Sequence, residues 1–373
     1  MTDLDACTGV AVGELPTPVA VIDLDRLERN IHRLAGYARE HGIALWPHTK
    51  THKMPPVARM QLDAGAGGLT VAKLGEAEVM AAHALGPLLL HYPVYGPDKW
   101  RRLTDLAGRC DLTVALDSLE TAEPIAASLA AHGRRARVLI ELDVGHHRTG
   151  VATPAAAAEL AGRIDRLDGL DVAGVSCFPG HVRGTEAEID RSLAAVEDIL
   201  AETVARFDRA GLCRDRVSGG CTPGMLHSHR TPSLTELRAG TYVFLDRSEV
   251  AYDGPLTLDD CALAIHATVV SAPAPGRAVV DAGSKTLSDA VYLGPGGNGN
   301  GAIVGDPEVK IKLTEEHGIC DTSSSVRSWR VGDRVEIVPN HVCAAVNLQD
   351  AVCAARNGVV EYVWTVEGRG KVR

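Results

Sequence analysis

The sequence predicts an α/β protein, a (β/α)8 TIM-type barrel followed by a smaller C-terminal β-domain, and three observations carry that expectation. From about residue 18 to residue 220, short β-branched runs alternate with longer amphipathic patterns, the signature of βα units around a parallel sheet. After about residue 250 the texture changes to β-rich runs punctuated by Gly and Pro, with no long amphipathic helix among them. The length, 373 residues, accommodates one barrel-sized domain and a smaller one. The expected boundaries are 18–245 for the barrel and 246–373, joined by 1–17, for the β-rich domain.

Eight candidate strands can be counted: PVAVIDL (18–24), ALWPHTK (44–50), GLTVA (68–72), PLLLHYPV (87–94), LTVALD (112–117), RVLIELDV (137–144), DVAGVSCFP (171–179) and RVSGG (216–220). Between them, Leu27, Ile31, Leu34 and Ala38 recur at helical steps, as do Leu193, Val196, Leu200, Val204 and Phe207. Thr153-Pro154 places a cap residue before a proline at the first helical position, and Asp117-Ser118 opens a helix directly after a strand. The later runs AIHATVVSA, RAVVDAG, AIVG and DRVEIVP read as strands, and GPGGNGNG (294–301) as a loop, because no helix follows it to make a phosphate cradle.

Composition excludes several classes. Apolar residues make up 45% and charged residues 23%, the balance of a globular chain with ample core. A net charge of -10 without a basic run argues against nucleic acid. No apolar stretch reaches the roughly 20 residues that span a bilayer. The N-terminal MTDLDACTGVAVGELPTP has no basic, then apolar, leader pattern. Nine cysteines, an odd number without a CxxC pair, read as reduced thiols and hence as a cytoplasmic enzyme.

Catalytic groups of such barrels sit at the C-terminal ends of strands. The second candidate strand ends in His48, Thr49, Lys50, Thr51, His52 and Lys53. If the strand continues, the period of two points His48, Lys50 and His52 the same way. A lysine on an inward face is costly to bury charged and becomes a Schiff-base former; if the strand has already ended, Lys50 and Lys53 are solvated charges.

PHTKTHK followed by GLTVAKLGEAEVM (68–80) resembles the N-terminal pattern of the D-threonine aldolase and D-serine dehydratase family of fold-type III, alanine-racemase-like pyridoxal-phosphate enzymes. The resemblance continues through RTGV (148–151), FPGH (178–181), SGG (218–220), GTYVF (240–244), DAGSK (281–285), EEHG (315–318) and PNHVC (339–343). It implies that Lys50 carries pyridoxal 5'-phosphate, that Arg148 contacts the cofactor's phenolic oxygen, and that Ser218, Gly219, Gly220, Gly240, Thr241 and Tyr242 help to bind it. His181 is expected in the active site. The family commonly has tyrosine where this chain has Phe178, which packs against the ring but cannot donate a hydrogen bond, so the partner of the pyridine nitrogen stays open.

His341 and Cys343, spaced i and i+2, would present imidazole and thiolate on one side of an extended segment, an arrangement for zinc or another borderline ion. The resemblance implies that this is the metal pair, HxC in the dehydratases and HxD in the aldolases. Zinc is favoured over manganese because one ligand is a thiolate. Together these features imply a metal-assisted lyase acting on small D-3-hydroxy amino acids, and the Cys343 thiolate favours β-elimination to a keto acid and ammonia (serine, threonine or 3-hydroxyaspartate as substrate), with retro-aldol cleavage to glycine and an aldehyde as the alternative. A racemase would share the lysine but have no use for the metal, and a non-catalytic pyridoxal-phosphate-binding protein would need no β-domain. A homodimer is expected from the resemblance alone. Glu315, Glu316 and His317 are read either as lining the substrate entrance or as solvated charges.

Overall fold

The computed structural model describes residues 4–252, 255–295, 297 and 299–373. Residues 1–3 of the N-terminal segment, and residues 296 and 298 of the glycine-rich connection, lie outside the described residues. The chain divides into two compact units. One comprises Met1–Ile31, Thr51–Met54 and Thr241–Gly370, the other His32–Lys50, Pro55–Gly240 and Lys371–Arg373.

In chain order, β1 (Val19–Asp23) leads into helix α1 (Leu24–Glu40). Then come β2 (Ala44–Leu45), α2 (Pro55–Asp63), β3 (Leu69–Val71), α3 (Leu74–Ala82), β4 (Leu88–Leu90), α4 (Pro97–Ala107), β5 (Leu112–Leu116) and α5 (Leu119–Ala131). The alternation ends with β6 (Ala136–Leu142), α6 (Pro154–Ile164), β7 (Leu170–Cys177), α7 (Glu186–Ala210), β8 (Arg216–Gly219) and β9 (Glu236–Leu237). Strands β2 to β9 form one all-parallel sheet in the order β2-β9-β8-β7-β6-β5-β4-β3. A bridge between His48 and Thr70, with the Thr70 N–H donating to the Pro47 carbonyl at 2.9 Å, joins the β2 end to β3. This is the TIM-type barrel.

The expected helix stripes are buried: Leu27, Ile31, Leu34 and Ala38 on α1, and Leu193, Val196, Leu200 and Phe207 on α7, with Val204 partly covered. Local signals stop and start these helices. The Thr153 hydroxyl accepts from Ala156 N–H with Pro154 in the first turn of α6, and Thr185 with Glu188 forms a capping box at α7. Ser118 occupies the N-cap of α5, but its hydroxyl pairs with Thr121 Oγ1 at 3.0 Å instead of capping the backbone.

The other unit is mostly antiparallel. It adds β10 (Leu263–Ala274), β11 (Arg277–Val280), helix α8 (Ser284–Leu287), β12 (Ala302–Ile303), β13 (Lys310–Leu313) and β14 (Gly318–Asp321). After them come β15 (Arg334–Val338), helix α9 (Val342–Val346), β16 (Ala351–Arg356) and β17 (Val359–Thr365). Its main strand path is β13-β14-β11-β10-β1-β16-β17, and β15 pairs with β10 and β12.

Two expectations are corrected. PVAVIDL is not the first barrel strand: β1 pairs antiparallel with β10 and parallel with β16, so the barrel does not begin at residue 18. A strand buried along nearly its whole length looks the same in either sheet, and only its distant partners decide where it lies. The missing eighth barrel strand is β9, two residues inside TELR, too short to show a period. The alternation expected through 44–50 also stops early, because Thr49–Thr51 is a 3-10 turn.

No helix among the described residues is long and apolar enough to cross a membrane. None of the nine cysteines takes part in a disulfide.

At the register shift in β7, Gly174 has φ +144°, and a Cβ there would lie 1.9 Å from the Arg216 carbonyl oxygen of β8. Gly174→Ala is expected to destabilise the barrel by about 3 kcal/mol or more. An unchanged urea midpoint by far-UV circular dichroism would contradict this packing.

Candidate active site

The barrel interior is polar in layers. Arg216 on β8 reaches through it to Thr113 Oγ1 on β5 at 2.7 Å, pairs with Glu236 on β9, and lies 4.3 Å from the Trp46 ring. Beside this layer Trp46, Leu89, Leu139 and Ala173 form a small apolar cluster. The period of two then places Ser218 and Arg238 on the same inner side, one step nearer the C-terminal ends. Arg238 is 5% exposed, donates to the Cys177 carbonyl at 2.6 Å and to His91 Nε2 at 3.0 Å, and leaves Nη1 without a partner among the described residues. Because guanidinium only donates, His91 Nε2 must be the acceptor. Burial first, then the charges of Arg238, Arg148 and Lys50, hold the pKa of His91 well below its ordinary value. Glu141 lies 3.7 Å from His91 and accepts from Thr149 Oγ1 at 2.7 Å; burial raises its pKa.

Above this layer stand the residues expected from sequence. Lys50, in the turn after β2, has its Nζ 5.6 Å from the centre of the Phe178 ring, and Arg148 lies 4.4 Å from the same centre. His146 meets Phe178 edge-on at 5.1 Å and runs nearly parallel to His181 at 6.5 Å. A Cβ at Gly180 would sit 2.4 Å from Phe178 Cε1 and 2.8 Å from His146 Cε1, so glycine is what lets the two rings meet. Burial lowers the pKa of both His146 and His181. His181 Nδ1 and the hydroxyls of Ser176 and Ser218, registered neighbours on β7 and β8, are buried without a partner among the described residues.

These orphaned donors suit pyridoxal phosphate. Three cations, Arg238, Arg148 and Lys50, act on His91, and Glu141, the acid beside it, has its pKa raised by burial, an environment that suits an anionic cofactor. The structure brings Lys50, Arg148, Phe178 and His181 together and puts Ser218, Gly219, Gly220 and Gly240 in the same unit. Thr241 and Tyr242 belong to the other unit, where Tyr242 is fully buried. Sequence reasoning missed Arg238, His91 and Glu141. A glutamate inside the apolar run LIELDV was the available signal; a buried acid needs a reason.

In the other unit, His341 and Cys343, the pair expected to bind a metal, do not lie on one extended segment as expected. His341 is the N-cap of α9 and Cys343 lies in its first turn. They still converge, since the two side chains are hydrogen-bonded to each other. His341 Nδ1 donates to Asp246 Oδ2 at 3.0 Å, the same oxygen that accepts from Val342 N–H, and this leaves Nε2 for an ion. Asp246 is fully buried; its carboxylate, then the Cys343 sulfur, push the pKa of His341 up to about 11. Cys343 Sγ donates to Thr51 Oγ1 at 3.3 Å and lies 3.7 Å from Thr241 Oγ1. No group of three or more His, Cys, Asp or Glu converges on a metal position among the described residues. The donor chemistry, one borderline nitrogen and one soft sulfur, fits zinc with open positions. Glu316 pairs with exposed Lys285 at 2.6 Å, and His317 lies 3.4 Å from Thr314 Oγ1.

A barrel with a strand-end lysine and a β-unit with an imidazole–thiol pair define a fold-type III pyridoxal-phosphate protein. The alanine racemase N-terminal domain model matches residues 22–248, and a serine dehydratase domain model matches 262–355. The chain belongs to the D-threonine aldolase and D-serine dehydratase-like family of fold-type III pyridoxal-phosphate enzymes. It is 32% identical to D-threonine aldolase of Arthrobacter sp, over 97% of this chain and 95% of that one. It is 34% identical to D-threo-3-hydroxyaspartate dehydratase of Delftia sp. (strain HT23), over 88% of this chain and 91% of that one. The crystal structure of D-threonine aldolase from Filomicrobium marinum superposes with a TM-score of 0.91 at 30% identity, covering 99% of both chains. D-threo-3-hydroxyaspartate dehydratase has been solved with a histidine and, two positions on, a cysteine each replaced by alanine, the cysteine variant in metal-free form; these structures are 31% and 32% identical to this chain.

Buried neutral His91 makes barrel stability depend on pH. Above about pH 6.5 both folded and unfolded forms are neutral and it has no effect. Below that, the unfolded chain takes up a proton that the folded barrel refuses, and stability falls by up to about 1.4 kcal/mol per pH unit. His91→Gln is expected to flatten the fall between about pH 6.5 and 5.5, as measured by urea unfolding; equal slopes would count against a neutral His91.

Proposed function

We propose that this chain is a pyridoxal-phosphate- and divalent-metal-dependent lyase of D-3-hydroxy amino acids, working chiefly by β-elimination to a keto acid and ammonia. Its family supports the lyase class and the cofactor. The observation that carries elimination is the thiol at Cys343 converging with His341, the same histidine–cysteine spacing as the pair replaced in D-threo-3-hydroxyaspartate dehydratase. Bound pyridoxal phosphate would supply an electron sink at Cα, and the divalent ion, zinc in preference to manganese, a Lewis acid for the β-oxygen.

The residues have these roles. Lys50 holds the cofactor's carbonyl carbon and is the base at Cα. Arg148 binds the phenolic oxygen through a charge-assisted hydrogen bond, and Phe178 packs against the ring. Ser218, with its orphaned hydroxyl, and the backbone of Gly219, Gly220, Gly240, Thr241 and Tyr242 bind the phosphate. His181, kept neutral by burial, exchanges a proton with the substrate. His341 and Cys343 hold the metal, oriented by Asp246 and by neighbouring hydroxyls. The chain acts as a cytoplasmic homodimer on small D-amino acids, with no part for nucleic acid or membrane.

Retro-aldol cleavage is the second reading, favoured by the likeness to two D-threonine aldolases over nearly the whole chain. The protein, loaded with pyridoxal phosphate and either zinc or manganese, is to be incubated with D-serine, D-threonine and 3-hydroxy-D-aspartate. Keto acid and ammonia are expected; glycine with aldehyde as the main products would replace elimination by cleavage.

Lys50→Ala is expected to abolish the visible absorbance of lysine-bound pyridoxal phosphate, and an unchanged spectrum would remove Lys50 from its role. His341→Ala should keep that absorbance and lose metal-dependent turnover by more than about a hundredfold. Full activity in that variant would dispose of the metal pair.

A further inference from the structure

His341 has an anchor of its own in Asp246, and the sulfur of Cys343 has a corresponding pair in two threonines. Thr51 Oγ1 lies 3.3 Å from Cys343 Sγ and Thr241 Oγ1 lies 3.7 Å from it, within reach of hydrogen bonds to sulfur. The threonines come from separate segments, Thr51 from the 3-10 turn Thr49–Thr51 and Thr241 from the start of the 3-10 turn Thr241–Val243. Both are buried, at 0% and 7% exposure, and a β-branched side chain has few rotamers through which its hydroxyl could swing away.

A thiol has one proton to donate, while a thiolate can only accept. Against a sulfur that serves as a metal ligand, each hydroxyl need only rotate about its C–O bond to point its hydrogen at that sulfur. Two O–H dipoles then converge on one negative atom, stabilising it and drawing off part of the charge it would give to a metal.

We propose that Thr51 and Thr241 are positioning residues that orient the Cys343 sulfur as a metal ligand and set its strength as a donor; the proposal rests on reading His341 and Cys343 as the metal pair. Hydroxyls that merely filled space would be replaceable by methyl groups of the same shape. Hydroxyls that polarise the sulfur would not be.

The test uses the full chain with pyridoxal phosphate bound, loaded with cobalt(II) in one series and zinc in another. The readouts are the sulfur-to-cobalt charge-transfer band in the near ultraviolet and zinc affinity by competition with a chromophoric chelator. Thr51→Val and Thr241→Val should each move the band to longer wavelength and weaken zinc binding by about tenfold. Thr51→Ser and Thr241→Ser should restore both. Because Thr51 is fully buried, Thr241→Val and the serine variants keep the test decisive if Thr51→Val fails to fold. A band present in the parent, lost in Cys343→Ala and indifferent to the valine variants would overturn this proposal and leave the metal pair standing. A parent chain with no such band would overturn both.

Discussion

A guanidinium enclosed in a barrel has to be satisfied from within, and the upper interior of this barrel is arranged around Arg238. Its Nη2 takes the Cys177 carbonyl and His91 Nε2, which commits the imidazole to its neutral form with the lone pair facing inward. Burial keeps Glu141, the neighbouring acid, from ionising readily, and Nη1 is left over. One layer below, Arg216 is matched by Glu236, Thr113 and the Trp46 ring. The two layers differ in kind: the lower is a closed network, and the upper retains donors and positive charge. Breaking a buried pair costs several kcal/mol, so a half-satisfied layer is retained where something else completes it. Lys50 and Arg148, which flank the Phe178 ring, add charge of the same sign. An anionic cofactor is the natural complement.

Much of this was legible in the sequence, for identifiable reasons. The α1 and α7 stripes and the Thr153-Pro154 cap are local signals, and local signals survive folding. Lys50 is marked by its motif and not by strand alternation, because the strand has ended before the 3-10 turn Thr49–Thr51. His341 and Cys343 are singled out through the resemblance carried by PNHVC more than by their spacing, and the backbone there is a helix start, not an extended segment. What stayed hidden depends on distant partners. Nothing within VAVID says that β10 and β16 will claim it, and nothing within TELR says that Glu236 will face Arg216 or Arg238 face His91.

The segment HTKTHK has divided duties. His48, Thr49 and Lys50 belong to the barrel unit, where Thr49 Oγ1 donates to the Thr70 carbonyl at 3.2 Å. Thr51 to Met54 belong to the other unit. There Lys53 Nζ donates to Asn347 Oδ1 at 2.8 Å, and the Lys53 carbonyl accepts from Gly368 N–H at 3.0 Å. These polar contacts tie a segment of four buried residues to that unit. The motif's length is thus set by two sets of contacts, and an insertion between Lys50 and Lys53 would disturb both.

A pair of ligands binds a metal weakly unless the free protein already holds them in place. Ordering a loose side chain costs about 0.5–1.5 kcal/mol, and a two-ligand site has few bonds over which to spread that cost. Here little ordering is left to do. Asp246, fully buried, fixes the His341 ring by its Nδ1 and the adjoining backbone N–H by the same oxygen. Cys343 sits in the first turn of a helix against two hydroxyls. In the proposed reading, such a site could leave coordination positions open for a substrate oxygen without giving up its ion. It needs rigid neighbours more than it needs a third ligand, and rigid neighbours are what this unit provides.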